Sequence, residues 1–122
     1  MSRKRKARKS AGSRIKVWLE INGDYVFGRG ICDILQAVDD AGSIKEAANR
    51  VQKSYRHVWA RIKDAENAIG EALVVSKVGG TTERRSELTP LARELVSDFV
   101  ILRQTMIDRA NAEFAKRFST LQ

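Results

Sequence analysis

Two short helical periodicities within residues 42–70, separated by a brief break, constrain the fold of this chain more than any other feature. The first carries apolar residues at helical spacing, namely Ile44, Ala47, Ala48 and Val51. The second carries Tyr55, Val58, Trp59, Ile62, Ala65 and Ile69, which we expect to point inward. Helices that cross steeply need small residues where their axes approach, and the paired alanines provide them. The stretch therefore predicts a helix-turn-helix.

Polar residues mark the ends of these two helices. Ser43 and Glu46 form an S-x-x-E pattern that can satisfy unpaired amides at a helix start. Ser54 can cap the second helix, and Gly70 suits its end.

The outward face of the second helix is basic. Between Arg50 and Lys63 there are five Lys/Arg residues and no Asp or Glu. A helix with an apolar stripe and an acid-free basic face is what reading the major groove of DNA requires, although a solvated surface helix shows the same pattern. The candidate contacts are Ser43 at the first cap and, on the second helix, Lys53, Ser54, Tyr55, Arg56, His57 and Arg61.

Charge is unevenly distributed along the 122 residues, whose net charge is +8. Residues 1–14 hold seven of the 23 basic residues and none of the 15 acidic ones, so the remainder carries only +1. We expect residues 1–14 to be a disordered arm that tracks DNA phosphates, or else a solubilising or nuclear-localisation-like run. Its candidate contacts are Arg3, Lys4, Arg5, Lys6, Arg8 and Lys9.

Composition excludes several classes of protein. With 43% apolar residues the chain should fold as one domain, and its apolar runs are too short to span a membrane. A single cysteine, Cys32, favours the cytoplasm; it is either a redox-sensing thiol or an unreactive helix residue. One His and one Cys without catalytic or metal-binding spacing argue against an enzyme, a metal site or a cofactor.

Two hairpins are predicted on either side of the helices. Ile15–Ile21 alternates, Asn22-Gly23 is a strong turn signal, and Tyr25–Phe27 returns; Trp18, Tyr25 and Phe27 should share a face. A helix over Ile31–Ala41 follows. After Gly70, Leu73–Val75 and Ser86–Leu88 predict a second hairpin, the wing, with a turn-rich connection from Val78 to Arg85. Its tip, either a phosphate or minor-groove contact or a solvated loop, holds Thr81, Thr82, Arg84 and Arg85.

The last helix begins at Thr89-Pro90 and should run to about Phe118. At about 40 Å it is longer than the domain can cover, so its surplus apolar stripe should be buried in a two-fold homodimer. A membrane-surface helix is the weaker alternative. The predicted dimer contacts are Phe99, Leu102, Met106, Ala110 and Phe114.

These elements define the expected fold as mainly α with small β-hairpins (α+β), a winged helix-turn-helix. We expect an arm (1–14), a DNA-binding domain (15–89) and a C-terminal dimerisation helix (90–122).

Several motifs together resemble the DNA-binding domain of ModE-type, molybdate-responsive transcriptional regulators, specifically single-domain members of that family, over roughly residues 15–105. They are Val17-Trp18-Leu19-Glu20, Asn22-Gly23, Val26-Phe27-Gly28-Arg29-Gly30, Gly42-Ser43-Ile44, Ala47-Ala48, Ser54-Tyr55-Arg56 with Trp59, Gly70, Leu73-Val74, Gly79-Gly80 and Leu88-Thr89-Pro90. The resemblance implies a dimer that binds promoters through the helix starting at Ser54, supplemented by the wing.

Two departures limit that resemblance. The wing is less rich in glycine after Gly79-Gly80 than is usual in the family. About 17 residues follow position 105, too few for the oxyanion-binding domain of larger members, so we expect no molybdate-binding domain. The main alternative function is a nonspecific nucleoid-associated protein dominated by its arm; another is a subunit whose last helix pairs with a different protein.

Overall fold

The computed structural model describes residues 10–78 and 84–121, and it is mainly helical with two small antiparallel hairpins. The elements of these residues are β1 (Trp18–Ile21), β2 (Asp24–Gly28), α1 (Arg29–Ala41), α2 (Ile44–Val51), α3 (Tyr55–Ile69), β3 (Val74–Val78), β4 (Arg84–Leu88), α4 (Pro90–Arg117) and a 3-10 turn (Ser119–Leu121). The three helices α1–α3 pack on one another, and the β3–β4 wing follows them. The winged helix-turn-helix expected from the sequence is confirmed.

The caps predicted for the helices are present. The hydroxyl of Ser43 accepts the Glu46 amide at 3.1 Å, and that of Ser54 accepts the His57 amide at 3.0 Å. Gly70 ends α3 with φ 89°, a left-handed conformation that glycine adopts without steric cost. Because these bonds join neighbouring residues, they set the helix ends before any tertiary contact does.

Small residues let the helices approach. Ala47 and Ala48 are fully buried in α2, which packs on both α1 and α3. Around them lies a continuous apolar core formed by Val26, Phe27, Ile31, Cys32, Ile34, Leu35, Val38, Val58, Ile62, Leu73, Leu88, Ala92 and Phe99.

The N-terminal hairpin corrects one expectation. Asn22 and Gly23 have φ 54° and 86°, as a type I′ turn requires. The register shifts between Leu19 and Glu20, however, so Leu19 lies opposite Phe27. Phe27 is therefore fully buried and makes an edge-on contact with Phe99, with ring centroids 5.4 Å apart, while Trp18 and Tyr25 stay about half exposed. The predicted shared face of Trp18, Tyr25 and Phe27 assumed that side chains alternate strictly between the two sides of the hairpin. The irregular register interrupts this alternation, so Phe27 no longer shares a face with the other two rings.

The wing strands are longer than expected. β3 continues to Val78 and β4 begins at Arg84, where the sequence suggested a turn-rich connection. A salt bridge of 2.9 Å joins Lys77 to Glu87, and this hydrogen-bonded partner lowers the pKa of the Glu87 carboxyl. Cross-strand pairing thus extends the wing beyond its apolar residues.

The first ten residues of α4 belong to the core rather than to a separate element. Ala92 is fully buried and Phe99 is 2% exposed against Phe27. Phe99 was predicted at the dimer interface, and this assignment is wrong, because its ring has no surface left for a second chain. Beyond Phe99 the helix carries two partly exposed apolar residues, since Leu102 and Met106 are 37% and 38% exposed.

Glu66 ties α3 to the wing. Its carboxylate accepts the amides of Leu73 and Val74 at 2.8 and 3.1 Å. We expect Glu66→Ala to lower the free energy of unfolding by about 1–3 kcal/mol, because both partly buried amides lose their partner. Urea denaturation measures the loss, and exposed Glu71→Ala should stay within about 0.5 kcal/mol of wild type. Equal effects of the two variants would contradict this role.

Cys32 is buried in α1, and burial, with Asp33 adding to it, raises the pKa of its thiol to about 11. This is the reverse of what a redox-sensing thiol needs. At pH 8 only about one thiol in 1,000 is ionised, so alkylation by iodoacetamide should be at least about 100-fold slower than in the urea-unfolded chain.

The raised pKa also implies a pH effect on stability. The unfolded chain releases the Cys32 proton first, so the stability contributed by Cys32 is retained below about pH 9 and lost as pH rises toward 11. Comparing wild type with Cys32→Ala isolates this contribution. Native alkylation as fast as in the unfolded chain would show that the thiol is accessible.

Candidate nucleic-acid interface

The N-terminal turn of α3 projects a cluster of polar and basic side chains into solvent. Lys53, Ser54, Tyr55, Arg56 and His57 are all exposed, whereas Val58 and Ile62 behind them are buried. Among the residues that the structure describes, Lys53 and Arg56 form no ion pair. Their charges are therefore available to an anionic partner.

Two aromatic residues on α3 depart from the expected inward stripe. Tyr55 and Trp59 are 53% and 45% exposed. Successive helical residues are about 100° apart, so Val58, Ile62 and Ala65 share one narrow buried face while Trp59 lies at its flank. Trp59 was expected to point inward only because the residue is apolar. Lys63 lies over the Trp59 ring, with Nζ 5.5 Å from the ring centroid.

Arg61 also departs from the expected outward orientation. It is half-buried, and a Cβ atom placed on Gly30 would lie 3.4 Å from its guanidinium. The same side chain lines a small cavity of about 410 Å³ with Tyr25, Ile31 and Asp64. Arg61 thus packs toward the start of α1, which separates it from Arg56.

The wing returns beside the start of α2. The Ser86 amide donates to the Gly42 carbonyl at 2.8 Å, and the Arg85 guanidinium lies 3.8 Å from where a Gly42 Cβ would stand. Arg85 is exposed, whereas Ser43 is half-buried with its hydroxyl engaged in the cap. Tertiary structure therefore brings Arg85 close to the α2 cap, a juxtaposition that the sequence did not indicate.

Several predicted contacts lie outside the described residues. They are Arg3, Lys4, Arg5, Lys6, Arg8 and Lys9 of the arm, Thr81 and Thr82 of the wing, and the side chain of Arg84. Residues 10–14, the described part of the arm, are exposed and lie in neither helix nor strand.

In residues 10–78 and 84–121, no group of three or more His, Cys, Asp or Glu side chains is placed to hold a metal ion. None of the helices in this part of the chain is both long and apolar enough to cross a membrane.

The packed α2–α3 helix pair, the exposed basic start of α3 and the wing define a winged helix-turn-helix of the DNA-binding type. The chain belongs to the lysR family of bacterial regulatory helix-turn-helix proteins, which matches residues 32–93.

Curated relatives and solved structures agree with this assignment. The chain is 33% identical over 87 residues to the molybdenum transport protein ModE of Herbaspirillum seropedicae, and 34% identical over 79 residues to that of Azotobacter vinelandii. These matches cover 71% and 62% of this chain, which spans about 30% of the length of either relative. The DNA-binding domain of CbnR, solved in complex with DNA, has the same fold, with a TM-score of 0.56 and 22% identity over 72% of this chain and 97% of that one.

Proposed function

We propose that this chain is a sequence-specific regulator of transcription that reads the major groove of double-stranded DNA with the first turns of α3. One observation carries the proposal: Lys53 and Arg56 stand exposed at the capped start of α3, in a segment without acidic residues. Helix N-termini and arginine guanidiniums suit phosphates and guanine edges respectively. Arg61 is left out of the proposed contact surface because it packs toward Gly30.

The wing and the arm add contacts that do not read bases. Arg85 lies beside the α2 cap, so a phosphate there can meet both the guanidinium and the start of α2. The arm would add salt-sensitive affinity for any sequence. Such a protein would work at the nucleoid, in the cytoplasm, without a cofactor.

A homodimer completes the proposal. Past Phe99, α4 carries the exposed apolar residues Leu102 and Met106, with Ala110 and Phe114 half-buried on the same side. A second copy related by a two-fold axis would cover them and pair two α3 helices on one operator.

The ModE-type branch of regulators is the proposed affiliation within this fold. The Ser54-Tyr55-Arg56 and Trp59 motif and the two relatives named ModE support it. Because the chain spans only about 30% of those relatives, we extend the proposal to DNA binding alone.

Selection of binding sites from random duplexes, followed by footprinting, tests the function. A dimeric regulator should enrich a two-fold symmetric site with half-sites about 34–36 Å apart. Enrichment of no sequence, with uniform protection of all DNA, would instead support the nonspecific nucleoid-associated protein.

A further inference from the structure

An exposed aromatic pair accompanies the basic residues at the start of α3. Tyr55 and Trp59 lie one helical turn apart on the same flank, and both are about half exposed. Aromatic side chains contribute large apolar areas to interfaces, so two of them on one exposed flank indicate a surface that another molecule covers.

Two charged side chains connect Trp59 to the start of the wing. Lys63 lies over the indole and also pairs with Glu66 at 3.2 Å. Glu66 in turn accepts the amides of Leu73 and Val74 at the start of the wing. The indole thus contacts Lys63 on one face, while Trp59 stays 45% exposed and open to a partner.

The charges around the pair favour nucleic acid over protein. Arg56 lies on the same side of α3 as the rings and forms no ion pair with another described residue, whereas the charge of Lys63 is paired with Glu66. The segment from Arg50 to Lys63 has no carboxylate. In the major groove the base edges are polar with one exception, the 5-methyl group of thymine, which apolar side chains recognise.

We propose that Trp59, with Tyr55, packs against thymine 5-methyl groups in the major groove and thereby determines part of the sequence that the protein selects. The inference rests on the proposed function, since it needs α3 in the groove. The contact with Trp59 adds a preference for thymine at a position next to the base that Arg56 reads.

Replacing each thymine of the selected site by deoxyuridine tests this directly, because only the methyl group is removed. Wild type should lose about four-fold in affinity at one or two positions, the effect of one lost apolar carbon. Trp59→Ala should bind the unmodified site about ten-fold more weakly and become insensitive to deoxyuridine there. Trp18→Ala, which removes an equally exposed indole from β1, should leave both properties unchanged.

Fluorescence provides a second test that leaves Trp59 intact. The chain has two tryptophans, so in Trp18→Phe the emission comes from Trp59 alone. The selected duplex should quench this emission, and its deoxyuridine counterpart should do so less at equal saturation.

The outcomes separate this inference from the function on which it rests. If wild type selects a sequence but Trp59→Ala keeps the same deoxyuridine sensitivity, the thymine contact is wrong and the function stands. If wild type selects no sequence, both are wrong. If Trp59→Ala becomes monomeric in sedimentation, the aromatic pair contacts a second chain instead.

Discussion

Arg56→Ala is expected to reduce discrimination between the selected site and random DNA by roughly 10–100-fold. Arg56 is exposed in the first turn of α3, forms no ion pair with another described residue, and can donate two parallel bonds to guanine. Loss of one such contact weakens specific binding by roughly 10–100-fold. Binding to random DNA should fall much less, because other cations still meet the phosphates. Competition titrations against random duplex measure both affinities.

Two further variants separate base reading from general electrostatics. Deleting residues 1–14 should weaken both affinities about equally and flatten the salt dependence, since we propose that the arm contacts phosphates alone. Arg109→Ala, which removes an exposed guanidinium from α4, should change neither. The assigned roles would be reversed if the arm deletion removed sequence preference while Arg56→Ala retained it.

The double variant Leu102→Asp/Met106→Asp is expected to be monomeric. Both side chains are partly exposed on α4 just beyond Phe99, and in a dimer each aspartate would bury an unpaired charge at a cost of several kcal/mol. The monomer should still fold, because the core ends at Phe99. Sedimentation velocity measures the oligomeric state and circular dichroism the fold.

The loss of the dimer should also weaken operator binding by about 100-fold or more, because two linked half-sites bind more tightly than one. Ile101→Asp/Thr105→Asp is the matched control, since it places two charges about 100° away around the same helix. If this control dissociates while the first variant stays dimeric, the interface lies on the Ile101 side.

The order of the elements and the starts of the capped helices were determined by the sequence itself. Ser43, Ser54 and Thr89 cap α2, α3 and α4 through bonds to residues three positions away, and Asn22-Gly23 closes its hairpin within four residues. Such interactions depend on local spacing, which sequence patterns report directly. The concentration of basic residues on α3 could also be recognised from the sequence, because it is a property of one continuous segment.

Tertiary structure decided which side chains remained exposed. Phe27 is buried in the core because the register of its hairpin shifts. Phe99 is buried because it packs against Phe27. Trp59 is exposed because α3 packs on the core through its Val58 and Ile62 face. Arg61 instead packs toward Gly30. Each outcome depends on residues far apart in the chain, and helical or strand periodicity holds no information about such partners.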